Sequence, residues 1–336
     1  MLYFGCFLVS VVIFLWAVAI NENMKINQIL LIIITMIGNG GYYSLASATC
    51  LETAILANKL TYLIGIFSPL LIFFNICEIC KIRIRHSLVV ILYTVQMILY
   101  LSVCTIGKYG LFYKTVEFHV GRNGGYLTKT YGPLHSVYLL MFFLYFVMCL
   151  WVSAYSMKNK NKVSYKNVDL LIFTGILIVG TYFIERVLHL EFEFVPFAFT
   201  IGLLAILISI TKTQQYLVEE NRDIIDAKLE GTAYIVFSKK LHYMGCNEYA
   251  GTLFPELLEW ELEKKIPGNG GRFNTFLRQT FMKYVETKQR EPMIGKPFSI
   301  KGRDFHYVVK CLYNRKRHLG YVIELIDVTD LKNASM

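Results

Sequence analysis

Long runs of apolar residues, interrupted by short polar segments, dominate the first 210 positions of the chain. A helix needs roughly 20 mostly apolar residues to cross the hydrocarbon core of a bilayer. The runs that satisfy this requirement predict seven membrane-spanning helices. They cover residues 2–20, 28–48, 55–77, 88–106, 134–155, 169–187 and 195–210.

The pattern becomes polar and rich in helix-forming residues at 211–230, which predicts a connecting helix. Ile210, Leu217 and Ile224 are spaced seven residues apart, as in the apolar stripe of a dimeric coiled coil. Leu217 and Ile224 are therefore candidates for signal relay between the two chains of a homodimer. A solvated single helix agrees equally well with these three positions.

Gly231 ends that helix, and a period of two then replaces the helical pattern. Strands are predicted at 232–238, 241–245, 296–300, 305–313 and 320–328, with short helices at 247–262 and a longer helix at 273–287. This order predicts a small α+β module with an antiparallel sheet. The loop at 107–133 alternates polar and apolar residues and predicts a hairpin over the bundle mouth.

Composition supports a membrane protein, since 55% of the residues are hydrophobic and only 17% are charged, against about 25% charged in soluble domains. A chain this apolar is not disordered either. The net charge of +10 is spread over both halves of the chain rather than forming one basic face, so nucleic-acid binding is not expected.

Basic residues in the short loops predict the orientation, because cytoplasmic loops are enriched in Lys and Arg. With the N-terminus outside, the inner loops carry Lys25, then Lys81, Arg83 and Arg85, then Lys158, Lys160, Lys162 and Lys166. The outer loops at 49–54 and 188–194 carry none, and the remaining outer loop, 107–133, has four basic residues spread over its length. We expect a bacterial plasma-membrane protein with its N-terminus outside and its C-terminus in the cytoplasm. Residues 1–20 lack a positive charge before the apolar run and are interpreted as a retained helix rather than a cleaved signal peptide.

Polar residues inside the spans are costly unless they face the bundle interior or a cavity. The segment Gly38-Asn39-Gly40-Gly41 permits close helix packing, which is one interpretation of it. The other is a ligand cavity near the outer side of the bundle. The candidate ligand-binding residues are Asn39, Tyr42, Tyr43, Asn58, Lys59, Glu185 and Arg186.

Three kinds of site are disfavoured. The seventh helix lacks the lysine that a retinal Schiff base needs. The pair Cys77-x-x-Cys80 has no second CxxC or HxxxH motif, so no metal site is expected. Gly268-Asn269-Gly270-Gly271 has neither a preceding strand nor a following GK[ST], so it is a loop rather than a phosphate-binding motif.

The order of seven helices, the stretch from Ala57 to Pro69 in the third and the Tyr131-Gly132-Pro133-Leu134-His135 entry to the fifth resemble the N-terminal seven-transmembrane sensor region of bacterial histidine kinases and related receptors. The resemblance covers about the first 210 residues. It implies a membrane input module that passes a signal to cytoplasmic domains, and it assigns no ligand-binding residue.

The second half of the chain resembles a PAS domain. The segments that carry this resemblance are Arg222-Asp223-Ile224-Ile225, Ala233 to Phe237, Asn247-Glu248-Tyr249-Ala250 and Gly302-Arg303-Asp304-Phe305. It closes on Asp327-Val328-Thr329-Asp330-Leu331-Lys332. In that family Asp327 and Thr329 would clamp the last strand to an exit helix and so relay a signal. The flavin motif Asn-Cys-Arg-Phe-Leu is absent from the sequence, and residues 273–287 contain no histidine for haem, so no cofactor is expected.

The domain organisation expected is a sensor bundle at 1–210, a connecting helix at 211–230, a PAS-like domain at 231–332 and the start of an output segment at 333–336. None of the seven histidines lies in a kinase phosphoacceptor motif, and no GGDEF-type sequence is present. We expect no catalytic domain in these 336 residues.

The function expected is that of a membrane sensor for an unidentified small molecule or membrane stimulus. It would serve a histidine kinase or diguanylate cyclase type system through an output domain or partner protein. The alternative is a transporter with a regulatory PAS-like tail. A transporter should show internal repeats and ionisable residues in the middle of the bilayer, and neither is evident.

Overall fold

The computed structural model describes residues 2–20, 24–121, 124–158, 165–188, 192–215, 231–268, 271–287, 291–295, 297–300, 302–314 and 317–329. These residues divide into two compact units. The first lies within Met1–Ser156 and Lys166–Ile210, and the second within Met157–Tyr165 and Thr211–Met336. The relay candidates Leu217 and Ile224 lie outside the described residues.

Each of the seven predicted apolar runs forms one helix. The helices are α1 Leu2–Ile20, α2 Ile26–Ala46, α3 Leu51–Ile79, α4 His86–Cys104, α5 Pro133–Ser156, α6 Tyr165–Leu188 and α7 Val195–Gln215. Within the described chain, α1 to α6 are long and apolar enough to cross a membrane, and α7 contains a shorter apolar stretch at Val195–Thr211. The membrane-bundle prediction is confirmed at this level.

A β-hairpin lies between α4 and α5. Its strands, β1 Tyr113–Gly121 and β2 Gly124–Tyr131, pair antiparallel. Leu127 of β2 belongs to one apolar cluster with Leu45 of α2 and Ala54 of α3, so the hairpin packs where α2 ends and α3 begins. We call this end of the bundle the hairpin end.

α2 and α3 pack closely because glycines face α3. A β-carbon at Gly38 would lie 2.2 Å from Ile64 Cγ1, and one at Gly41 would lie 2.9 Å from the backbone nitrogen of Thr61. Any larger residue at these two positions would push the helices apart. The close packing brings the first half of α3 against the end of α2.

The second unit contains an antiparallel sheet. Its elements are β3 Thr232–Ser238, β4 Tyr243–Cys246, α8 Glu248–Leu253, a 3-10 helix Pro255–Leu258, α9 Arg272–Glu286, β5 Met293–Ile294, β6 Phe298–Ile300, β7 Arg303–Asn314 and β8 Arg317–Asp327. The strands follow the order β4-β3-β8-β7-β5, and β6 also pairs with β7. An antiparallel α+β module is therefore confirmed.

Aromatic side chains fill the core between this sheet and the helices. Phe254 and Phe273 stack with ring centroids 4.0 Å apart, and Phe237 packs on Phe281 of α9 at 4.6 Å. Asn247 caps α8, since its Oδ1 accepts from the backbone N–H of Ala250 at 3.0 Å. The same side chain donates to the carbonyl of Thr232 at 2.9 Å, which fixes the start of α8 beside β3.

Candidate functional site

A cavity of about 460 Å³ lies at the hairpin end of the bundle. Its wall is built from α2, α3, β2, α5, α6, the segment before α7 and the first turns of α7. The volume falls within the ~300–1,000 Å³ that is usual for small-molecule sites. Five helices and one strand of the first unit therefore border a single cavity.

The hairpin supplies a lysine to this cavity because of the two-residue period of β2. Alternate residues of a strand face the same side, so Leu127, Lys129 and Tyr131 share a face. Leu127 is buried in the apolar cluster with α2 and α3. Its packing turns Lys129 and Tyr131 toward the cavity, which both of them line.

A chain of polar contacts joins Lys129 to α3. Its Nζ donates to Asn58 Oδ1 at 3.2 Å, and Asn58 Nδ2 in turn donates to the hydroxyl of Tyr113 at 3.4 Å. The Tyr113 hydroxyl donates to that of Tyr62 at 2.6 Å. Because a buried polar group is costly without a partner, these bonds hold the hairpin and α3 in a fixed relation.

Lys129 also faces a carboxylate from the segment before α7. Its Nζ lies 3.9 Å from Glu193 Oε1, and the two side chains are 14% and 38% exposed. Burial opposes the ammonium form, but the Tyr113 oxygen and the Glu193 carboxylate outweigh burial and raise the pKa of Lys129 above its ordinary value. Lys129 is therefore charged at neutral pH.

Glu185 near the end of α6 has a structural partner at the start of α7. Its Oε1 accepts from the backbone N–H of Phe194 and, at 2.8 Å, from that of Val195. The first N–H groups of a helix have no partner within the helix, so an acceptor from another element satisfies them. Glu185 thus caps α7 while it also lines the cavity.

Aromatic rings form much of the remaining wall. Tyr131 and His135 lie with ring centroids 3.9 Å apart, and Phe142 packs on Tyr182 at 5.8 Å. Tyr138 of α5 contacts Tyr62 of α3 at 5.6 Å. Such a wall presents flat apolar faces together with polar edges.

Three of the seven ligand-binding candidates meet at this cavity, namely Tyr42, Asn58 and Glu185. Asn39 lies among the helices instead, where its Nδ2 donates to Thr200 Oγ1 at 2.9 Å and to the carbonyl of Cys6 at 3.4 Å. It connects α2 to α7 and α1.

The structure does not bring Tyr43 or Lys59 to this cavity. Tyr43 is 40% exposed and packs on Phe4. Lys59 is half-buried, and its carbonyl accepts from the Tyr100 hydroxyl at 3.4 Å. The side chain of Arg186 lies outside the described residues.

Sequence reasoning did not select Lys129 or Glu193, the two charges nearest the centre of the site. The predicted hairpin contained a usable signal, because a lysine two residues from Leu127 and Tyr131 shares their face. No comparable pattern surrounds Glu193, which lies in the short segment between α6 and α7.

The predicted relay residues Asp327 and Thr329 form a clamp in the second unit. Asp327 Oδ1 accepts from the Thr329 backbone N–H at 3.0 Å and from its hydroxyl at 2.5 Å. Thr329 Oγ1 accepts from the backbone N–H of Asp304 at 3.0 Å, and Arg303 donates to Asp327 Oδ2 at 3.1 Å. These contacts tie the end of β8 to the start of β7. Burial opposes ionisation of Asp327, but the Thr329 and Arg303 hydrogen bonds outweigh it and lower its pKa.

Within the described residues, no group of three His, Cys, Asp or Glu side chains could hold a metal ion. No curated protein matches the chain. A family model described as the N-terminal 7TM region of histidine kinase matches residues 1–218. Together with the seven apolar helices, this match identifies the chain as a multi-pass membrane protein that belongs to the family of N-terminal seven-transmembrane sensor regions of histidine kinases.

Proposed function

We propose that the chain is the input and relay part of a membrane receptor. A small molecule enters the cavity at the hairpin end, and α7 transmits the resulting change through residues 211–230 to the second unit. The output is a histidine kinase or diguanylate cyclase type domain or partner protein.

The observation that carries this proposal is the Lys129 contact network. Lys129 on the hairpin meets Asn58 of α3 and Glu193 directly before α7. A ligand that alters these contacts acts on the start of α7. α7 is the last helix of the bundle, and its final residues, 211–215, begin the proposed connecting segment. Ligand binding and helix displacement are then coupled through one ion pair.

The proposed orientation places the cavity on the outer side of the membrane. The loops at the opposite end of the bundle contain Lys25, Lys81, Arg83 and Arg85, and basic residues favour the cytoplasmic side. The stimulus is then an external compound, and the second unit is cytoplasmic.

We further propose that the second unit is a PAS domain. The support is the sheet order, in which the first and last strands of the unit, β3 and β8, are neighbours, and α8 and α9 lie between β4 and β5 in the chain. Asp327 and Thr329 lie at the end of the last strand, where the resemblance implies a clamp to an exit helix, and their described contacts are to β7. In this role, strain in the sheet passes through the clamp to the following segment.

Cross-linking across the connecting helix tests the receptor proposal without a known ligand. In membranes containing the full chain, with the exposed Cys50 and Cys104 replaced by Ser, Leu217→Cys should form a cross-linked homodimer and Glu219→Cys should form much less. Adding Lys129→Met should change the Leu217→Cys rate by about twofold or more, because the ion pair before α7 is lost.

Lys114→Met is the matched control, since Lys114 is an exposed lysine on the same hairpin. It should leave the rate unchanged. Equal cross-linking at positions 217 and 219, or a rate indifferent to Lys129→Met, would contradict the relay.

A further inference from the structure

The bonds of the Lys129 ammonium leave room for another partner. An ammonium has three donors. Asn58 of α3 accepts one hydrogen bond from it, and the ring of Tyr113 on β1 lies with its centroid 5.7 Å from Nζ. Glu193 Oε1 lies 3.9 Å away, which is within ion-pair range but beyond hydrogen-bond distance. The ammonium therefore has hydrogen-bonding capacity that the Glu193 carboxylate does not use.

Glu193 can leave this contact at low cost. Its side chain is 38% exposed, against 14% for Lys129, so Glu193 is the more hydrated partner of the pair. Its backbone is held separately, because its N–H donates to the hydroxyl of Tyr3 at 2.9 Å. The side chain can therefore turn without loss of this backbone hydrogen bond, and its departure from Lys129 removes one of the contacts that hold the segment before α7.

Lys129 is the one cationic side chain among the described residues that line the cavity. The other carboxylate there, Glu185, already accepts from two backbone N–H groups of α7. A ligand anion would therefore find a buried, incompletely bonded ammonium. A ligand cation would have to compete with the Lys129 ammonium for Glu193, and the other carboxyl group, Glu185, is already engaged.

We infer that the cavity binds a small molecule with one anionic group, a carboxylate or a phosphate, on an aromatic or short apolar body. The anion bonds to Lys129 in place of Glu193, and the body lies against the rings of Tyr138 and Tyr182. A charge-assisted hydrogen bond to a buried ammonium is among the stronger polar contacts available. This inference rests on the proposed function for the cavity and specifies the ligand class.

The test uses the full chain in an uncharged maltoside detergent and simple probes. Benzoate and phenyl phosphate represent the two anionic groups, benzamide is the neutral match of benzoate, and benzylammonium is the cationic match. Affinity is measured by titration calorimetry and by saturation-transfer NMR. Benzoate or phenyl phosphate should bind about tenfold or more tightly than benzamide, and the tighter of the two identifies the group.

Variants of the ion pair give effects of opposite sign. Lys129→Met should weaken binding of the anionic probe about tenfold or more, Lys129→Arg should retain it, and Lys114→Met should leave it unchanged. Glu193→Gln should tighten binding, because the competing carboxylate is removed. If the ion pair only stabilised the fold, Glu193→Gln would not tighten binding of the anionic probe.

Three outcomes would overturn the inference. One is tighter binding of benzylammonium that Glu193→Gln weakens, which would assign a cation. Another is equal binding by the Lys129→Met and Lys114→Met proteins. The last is no binding of either anionic probe. The receptor proposal is tested separately by cross-linking. If Lys129→Met changes the Leu217→Cys cross-linking rate, the receptor proposal stands even when no probe binds. If it does not, the receptor proposal fails whatever the probes show.

Discussion

At the scale of single residues, ionisable side chains are held by specific partners in both units. Lys129 is buried with Asn58 and Glu193, and Asp327 accepts from Thr329 and Arg303. In each case a charge ties together segments that are distant in the chain. Such contacts stabilise the fold only while the group stays ionised, so they depend on pH.

Asp327→Asn should lower the local stability of β7 and β8 by up to about 1 kcal/mol at neutral pH, since the pair with Arg303 is partly exposed and screened. The folded-state pKa of Asp327 is lowered. Its stabilising effect is therefore full above the unfolded pKa of about 3.9 and is lost as the pH falls through the folded pKa.

This effect is measured by hydrogen exchange in peptides from β7 and β8 of the full chain. The unchanged protein and the Asp327→Asn protein are compared at each pH. The difference between them should be largest near pH 7 and should vanish in strong acid. Glu286→Gln, at an exposed glutamate at the end of α9, should show no such difference. A difference that persists in acid would mean that the Asp327 charge is not responsible.

At the scale of elements, the position of the hairpin determines whether Lys129 and Tyr131 of β2 form part of the cavity wall. Gly124 is the first residue of β2, and its φ is +114°. A β-carbon there would lie 2.2 Å from the carbonyl oxygen of Ala46 at the end of α2. Only glycine combines that backbone conformation with such a close approach.

Gly124→Ala should therefore loosen the hairpin from α2, at a cost of about 1–3 kcal/mol for the strained backbone. Hydrogen exchange in peptides covering 113–131 should become faster, and binding of the anionic probe should weaken because Lys129 is displaced. Gly110→Ala is the control, since the nearest atom to its new β-carbon lies 3.8 Å away. Unchanged exchange in the Gly124→Ala protein would show that the close approach does not hold the hairpin.

At the scale of the whole molecule, the bundle alternates direction from helix to helix, so the orientation of one loop determines that of the others. We expect reporter fusions after Lys162 and after Met336 to report the cytoplasm, and a fusion after Gly124 to report the exterior. The reason is the concentration of Lys and Arg in the loops opposite the hairpin end. A cytoplasmic signal at Gly124 would reverse the topology and place the cavity on the inner side.

Local sequence determined the elements of both units. Seven apolar runs became α1 to α7 because a helix that satisfies its own backbone groups is the structure open to such a run in a membrane. Alternation from Phe305 to Tyr313 became β7, and Asn247 became the cap of α8, because both depend on residues a few positions apart. These signals need no knowledge of which elements later meet.

Tertiary packing decided the site. Asn58 and Lys129 are 71 positions apart in the chain, and nothing local to either predicts their contact. Asn39 and Glu185 both suggested ligand binding as polar residues in apolar helices, yet one connects three helices and the other caps α7. A polar side chain in a span shows that a partner is needed, but the assembly of the helices determines whether that partner is another helix or a cavity.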